Sequence, residues 1–151
     1  TIARFSHRAL LAAARDAMRA APLTETDHLL ALLPWAHPFG LTMAATAPLL
    51  AGARVSTSAP LDSHAGLSRL AGDLTVIVGS AATYGELLAA LEDERGRHRF
   101  GKLRLCICHG AVPPEELRNR WVETTGVAVR GGDWSAGEEG GVRLLDPAAE
   151  R

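Results

Sequence analysis

Three short apolar runs limit what this chain can become. "DHLLALLP", "LTVIVG" and "KLRLCICHG" each hold a core of strand length with no polar alternation. A strand that is apolar on both sides has to be covered on both sides, as happens in parallel sheets flanked by helices. The segments between the runs read as helices. "SHRALLAAARDAMRAA" carries Leu10, Leu11, Ala14 and Met18 at helical spacing, with Ser6 placed to cap it. "LTMAATAPLLAG" reads as one small-residue helix stopped by Gly52, followed by a short strand in "ARVST". "LDSHAGLSRLAG" reads as a helix that Asp62 caps, and "SAATYGELLAALEDE" as a helix with Thr83 and Glu86 at capping-box spacing. "PPEELRNRWVETTG" opens on proline and closes on glycine, as helices do, and "VAV" is a last strand. The alternation predicts an α/β parallel-sheet sandwich with helices on both faces. Residues 1–130 make up that α/β unit, and 131–151 a Gly-rich loop and C-terminal tail.

Composition removes several function classes. A net charge of −1 gives no basic surface for nucleic acid, and 5% aromatic residues give no platform for stacking bases. No apolar run approaches the length of a bilayer span. Two cysteines in a chain long enough to build its own core point to a reducing, cytoplasmic setting. Cys106 and Cys108 share one face of their strand while His109 takes the other, a poor start for a zinc site, so both read as buried and inert and no metal ligands are assigned. "DWSAG" misses the nucleophile-elbow pattern by having Asp133 where a glycine is sterically required, which makes Ser135 with His109 a remote hydrolase reading. "EDERGRHRFGK" reads as a solvated helix end and loop.

In open α/β sheets, ligands collect beyond the carboxyl ends of the strands. Three strands end in "PWAHPFG", "VGSAATY" and "CHGAVPPEEL", which combine small residues, glycine and histidine. His37 stands between Pro34, which ends strand pairing, and Pro38, which starts a helix. Held there, the ring is expected partly exposed at the carboxyl edge, sharing a concavity with Gly79, Ser80 and Gly110.

The order of these segments resembles the AMP-forming, acid-activating adenylate-forming superfamily, the acyl-CoA synthetases and their relatives. Pro34, His37, Gly40 and Leu41 followed by "APLLAGARV", then "TVIVGSAATYGELLAAL", then "LRLCICHGAVPPEEL" are similar to that family's segments in order and spacing, from residue 4 to about 130. The resemblance implies one subdomain of the family's N-terminal domain. It implies that His37, Phe39, Gly79, Ser80, Cys108 and His109 border an acyl or aryl carboxylate, His37 as a gate. It places Gly110, Ala111 and Gly132 near a nucleotide, with His109 standing where the family has glycine and narrowing the pocket. The family's Ser/Thr/Gly-rich phosphate loop, its Thr-Glu signature and its catalytic lysine are not found in the 151 residues. The expectation is therefore a fragment or truncated homologue of an acyl/aryl-CoA ligase, inactive alone. ATP, Mg2+ and CoA belong to a complete member, and none is bound by this chain by itself. The alternative is a non-catalytic pseudoenzyme that binds an acyl group, a carrier protein or a partner subunit. Self-association, or pairing with a complementary ligase chain, is expected through apolar surface.

Overall fold

The computed structural model describes residues 4–57, 71–93, 100–110, 112–135 and 141–145. Six strands form one sheet: β1 (His28–Ala31), β2 (Arg54–Thr57), β3 (Val76–Gly79), β4 (Leu105–His109), β5 (Val129–Ser135) and β6 (Gly141–Leu145), in the order β2-β1-β3-β4-β5-β6. The first five are parallel, and β6 adds antiparallel to β5. The apolar runs behave as their composition requires. All four residues of β1 and of β3 are buried, and so are the first four of β4.

Alternation along these strands sorts side chains onto two cores. Leu29, Ala31, Val76, Val78, Leu105 and Ile107 pack under α1 (His7–Ala20), α2 (Pro38–Leu41) and α3 (Ala47–Leu50). Leu30, Ile77, Cys106 and Cys108 pack under α4 (Ala81–Asp93) and α5 (Glu115–Thr125). The first core is built on alanine. Ala14, Ala17, Ala44 and Ala47 are fully enclosed, so the helix backbones lie close to one another and to the sheet. The second is built on rings, with Tyr84 set edge-on to Trp121 at 4.9 Å. The Tyr84 hydroxyl lies 3.0 Å from the carbonyls of both Ile77 and Ile107, joining β3 to β4 from beneath.

Several local readings are corrected. The stretch after Pro38 is not one regular helix, because Thr42–Thr46 between α2 and α3 is π-helical. Pro48 has no N–H to return to the carbonyl one turn back, and the wider register upstream absorbs that gap. Leu11 faces solvent at 44% exposure, while Ala13, Ala14 and Ala17 form the buried stripe of α1. The cap of α4 is Ser80, one residue after β3, and its hydroxyl accepts from the Thr83 amide at 3.3 Å. Thr83 answers with its own hydroxyl, so Ser80 and Thr83 form the box and Glu86 lies outside it. Strand β5 runs on through Gly131 and Gly132 to Ser135, where a Gly-rich loop is read from sequence, and residues 141–145 return beside it. Asp133 and Ser135 are thus strand residues, not a strand-to-helix elbow, which removes the hydrolase reading. The helix read over 61–72 lies outside the described residues except for Ala71 and Gly72, as does the charged stretch 94–99.

At the amino ends of the strands, one carboxylate gathers three of them. Asp27, 3% exposed, accepts from Arg104 Nε and Nη2 at 2.9 and 2.6 Å, from the Thr75 hydroxyl at 2.7 Å and from the Thr24 amide at 2.8 Å. Arg104 also donates to the Pro22 carbonyl at 2.7 Å. The three side chains stand just before β1, β3 and β4.

Candidate functional site

The strand order reverses at β1, whose neighbours are β2 on one side and β3 on the other. Such a switch point opens a crevice at the carboxyl ends of the strands. The connection from β1 to α2 crosses that edge. It leaves the sheet after Ala31, and eight residues later Phe39 touches β5: a β-carbon added to Gly132 would come within 2.8 Å of Phe39 Cζ. β3 and β4 lie between those two strands, so the segment 32–38 spans their carboxyl ends.

Prolines and glycine fix this crossing. The amide of His37 donates to the Pro34 carbonyl at 3.2 Å, closing a turn. Pro38 takes the first position of α2, where no N–H is needed. Gly40 rests on that same turn: a β-carbon there would stand 2.3 Å from the Pro34 carbonyl oxygen, a backbone atom with nowhere to go. His37 itself caps α2, its Nδ1 accepting from the Phe39 amide at 3.2 Å. That bond leaves the proton of the neutral ring on Nε2, the nitrogen turned away from the cap.

The site forms where this crossing meets the end of β4. His109, half-buried, sets its ring 4.5 Å from the His37 ring at a 48° tilt and stacks on Phe39 at 4.5 Å and 22°. Burial of the His109 imidazole, and then the charge of His37 when it is protonated, push its pKa below the ordinary value. The Gly132 backbone and Asp133 pull it back less strongly. His109 Nδ1 is buried and has no hydrogen-bond partner among the described residues. Beneath the pair, Phe39 is 0% exposed and sits on Gly132, Ile107 and Leu144. Beside it, Gly110 turns the chain at φ +80°, its amide donating to the Gly132 carbonyl at 3.0 Å and its Cα face open.

The candidate residues separate into three groups. His37, exposed, and His109 meet at the carboxyl edge, with Gly110 next to them. Phe39, fully buried, and Gly132 pack together beneath the pair. Gly132 is a seat for a phenyl ring: Phe39, Ile107 and Leu144 occupy the side on which a β-carbon would stand. Cys108 lies on the other face, wholly enclosed against α4 and α5, and so does not border the imidazole pair. Burial raises its thiol to about 11 and that of Cys106 to about 12, which keeps both protonated and unreactive at neutral pH. Gly79 is buried at the end of β3, with Thr83 3.3 Å from where its β-carbon would be, and the Ser80 hydroxyl is committed to the helix cap. Ala111 lies outside the described residues. Among the described residues no three His, Cys, Asp or Glu side chains stand close enough together to hold a metal ion by themselves. No described helix is long and apolar enough to cross a membrane.

What sequence reading missed is the contact between His37 and His109, separated by 72 positions. The signal was available only in part. Both histidines follow apolar strands directly, which puts them at one edge, but their meeting depends on how far the β1–α2 segment travels.

Comparison with known proteins places this chain in a family. Residues 3–134 match the family model described as AMP-binding enzyme. Apo MatB from Rhodopseudomonas palustris is 25% identical, superposes with a TM-score of 0.71, and is matched over 87% of this chain and 26% of its own. A malonyl-CoA ligase in ternary product complex with methylmalonyl-CoA and AMP is 25% identical at a TM-score of 0.74, over 87% of this chain and 29% of its own. The N-terminal domain of FACL13 from Mycobacterium tuberculosis shares the fold at a TM-score of 0.76 and 18% identity, over 95% of this chain and 36% of its own. The chain thus spans between a quarter and somewhat over a third of the length of these structures.

Proposed function

The chain belongs to the AMP-binding enzyme family, and from that premise we propose that its carboxyl edge is the acid-binding part of an AMP-forming acid–thiol ligase. The observation that carries the reading is the contact between His37 and His109 at the one end of the sheet where such folds bind ligands. His37 is suited to the mouth of the crevice. It is exposed, held between two prolines, and has Nε2–H left to donate to a carboxylate or acyl oxygen. The substrate we assign is an acyl or aryl carboxylate. The ligases it resembles include one crystallised with methylmalonyl-CoA and AMP.

The whole reaction we assign to the parent protein is ATP-dependent activation of the acid followed by thioester formation with CoA. ATP and Mg2+ supply the phosphoryl chemistry there, and CoA the thiol. The described residues bind and orient the acid and contribute no step to that phosphoryl chemistry. On this reading the 151 residues bind the acid, and adenylation requires parts that the described residues do not supply. A second reading, a non-catalytic pseudoenzyme that binds an acyl group, a carrier protein or a partner subunit, draws on the same carboxyl edge. The thiols, buried and protonated, suit the cytoplasm in either case.

The test is a titration of the chain with acetate, malonate, benzoate and octanoate, followed by the imidazole resonances. Acid binding at this edge shifts His37 and His109 together, and His37→Ala weakens the effect on His109. Shifts confined to other histidines, or no saturable shift with any acid, refute the assignment. ATP–pyrophosphate exchange above a protein-free blank refutes the division of labour.

A further inference from the structure

We propose that His28 makes the edge strand β2 acid-labile: when its ring takes up a proton, β2 parts from β1 while the other strands stay paired. The device sits at the amino edge, away from the His37–His109 contact, and does not depend on an acid binding there.

His28 opens β1 and is 4% exposed. Its ring shares a face of the sheet with Leu30 of β1 and with Arg54 and Ser56 of β2, because residues paired across parallel strands point the same way. Nε2 lies 2.7 Å from the Ser56 hydroxyl. Nδ1 is buried and meets no hydrogen-bond partner among the described residues. The neutral ring therefore keeps its proton on Nε2, donating to Ser56, and leaves Nδ1 with a bare lone pair. Protonation adds an N–H where nothing accepts it and a charge where water does not reach. Both are costly in a buried place.

The two neighbours of β1 differ in how readily they give way. β3 is fastened on. The His28 amide donates to the Thr75 hydroxyl at 3.0 Å, the Thr75 amide donates to the His28 carbonyl at 2.9 Å, and that hydroxyl donates on to Asp27. β2 is the last strand of the sheet on its side, and its residues are exposed or half-buried. The charges favour the same parting. Arg54, the register partner of His28 on β2, repels a protonated ring, while Asp73, just before β3, attracts it. Asp73 is paired with Lys102 at 2.9 Å and Asp27 with Arg104, so neither carboxylate is released to neutralise the imidazolium. Burial first and Arg54 second hold the His28 pKa below its ordinary value, against the weaker pull of Asp73. Moving β2 aside admits water to the ring and removes the guanidinium in one motion. The opened form titrates as a free imidazole near about pH 6.5 and the closed form lower, so acid favours opening from there downward. Asp27 keeps its charge through that range.

The experiment follows amide hydrogen exchange in the full 151-residue chain from about pH 7 to pH 5, corrected for intrinsic rates, with the imidazole resonances recorded in parallel. Protection of the β2 amides falls by up to about tenfold for each pH unit below about 6.5, while amides of β3 and β4 keep theirs. His28→Gln, which can still donate to Ser56 but does not titrate, holds β2 protection level. Two substitutions of exposed residues carry the test if His28→Gln does not fold. Arg54→Gln moves the His28 titration to higher pH, and Asp73→Asn moves it to lower pH. Protection that stays flat in the wild type, that falls in β2 and β3 alike, or that still falls in His28→Gln overturns the proposal. So does a His28 titration that the two charge substitutions leave in place.

Discussion

Gly132→Ala tests the support beneath the imidazole pair. A single methyl there would stand 2.8 Å from Phe39 Cζ and 3.1 Å from both Ile107 Cγ2 and Leu144 Cδ2. Overpacking a well-filled core by a methyl costs about 1–3 kcal/mol. Alanine is worth about 0.5–1 kcal/mol more than glycine inside a strand, which offsets part of that. The net expectation is a loss of about 1–2 kcal/mol, read from urea unfolding with the slope checked for constancy. The cause can be isolated with Phe39→Leu, which shortens the group that clashes. By itself Phe39→Leu is destabilising, since it removes buried ring surface and leaves a cavity. In that background the new methyl fills space that the ring has vacated, so Gly132→Ala becomes neutral or stabilising. The double-mutant cycle then gives a coupling of about 1–3 kcal/mol in favour of the pair. Equal costs for Gly132→Ala in both backgrounds, to within about 0.5 kcal/mol, would show that the ring is not seated on this glycine.

Two further expectations concern stability. Thr42, 1% exposed within the π-helical stretch, has a hydroxyl oxygen that is buried without a partner among the described residues. Thr42→Val removes that unmet group and raises stability by about 1 kcal/mol, and an unchanged or lower urea midpoint refutes the reading. Burial alone would raise the Asp27 carboxyl, but the Arg104 guanidinium, the Thr75 hydroxyl and the Thr24 amide outweigh it and hold the pKa well below the usual carboxylate range. The unfolded chain therefore takes up this proton before the folded one does, so the contribution of Asp27 is complete above about pH 4–5 and is lost as pH falls further. Asp27→Asn lowers stability at pH 7 and flattens the acid limb of the stability–pH curve. An acid limb as steep as wild type places the titration elsewhere.

The parts of the fold legible in the sequence are those whose physics is local. β1, β3 and β4 announce themselves because burial on both faces demands continuous apolar residues, and Ser6, Pro38 and Gly126 mark helix ends by hydrogen-bonding needs that a short segment reveals. Gly126 indeed adopts φ +77° at the end of α5. The parts misread are those whose reason lies across the molecule. Gly131 and Gly132 look like loop residues, yet they continue β5, because the glycine is required by Phe39 from a segment more than ninety positions earlier. Thr83 looked like a cap because a glutamate follows it at the right interval. Ser80 takes the role because β3 ends one residue before it, which forces the helix to begin at Ala81. The two histidines could be assigned to one edge, but not to each other.

The division between the two edges of the sheet explains how such a site can be tolerated. At the amino edge, Asp27 joins the approaches to β1, β3 and β4 through a two-pronged guanidinium contact, a hydroxyl and an amide. Farther along, Tyr84 reaches carbonyls of both β3 and β4 from the opposite face. The register of the three central strands is thus determined before the chain reaches its carboxyl ends. There the residues are of another kind: an exposed histidine, a half-buried one with an unmatched nitrogen, and a glycine in a left-handed turn. None of these gathers three strands as Asp27 does. Substituting His109 should therefore alter what fits at the edge far more than it alters the sheet, whereas Asp27 or Gly132 should do the reverse. Specificity can vary at one end because pairing is secured at the other.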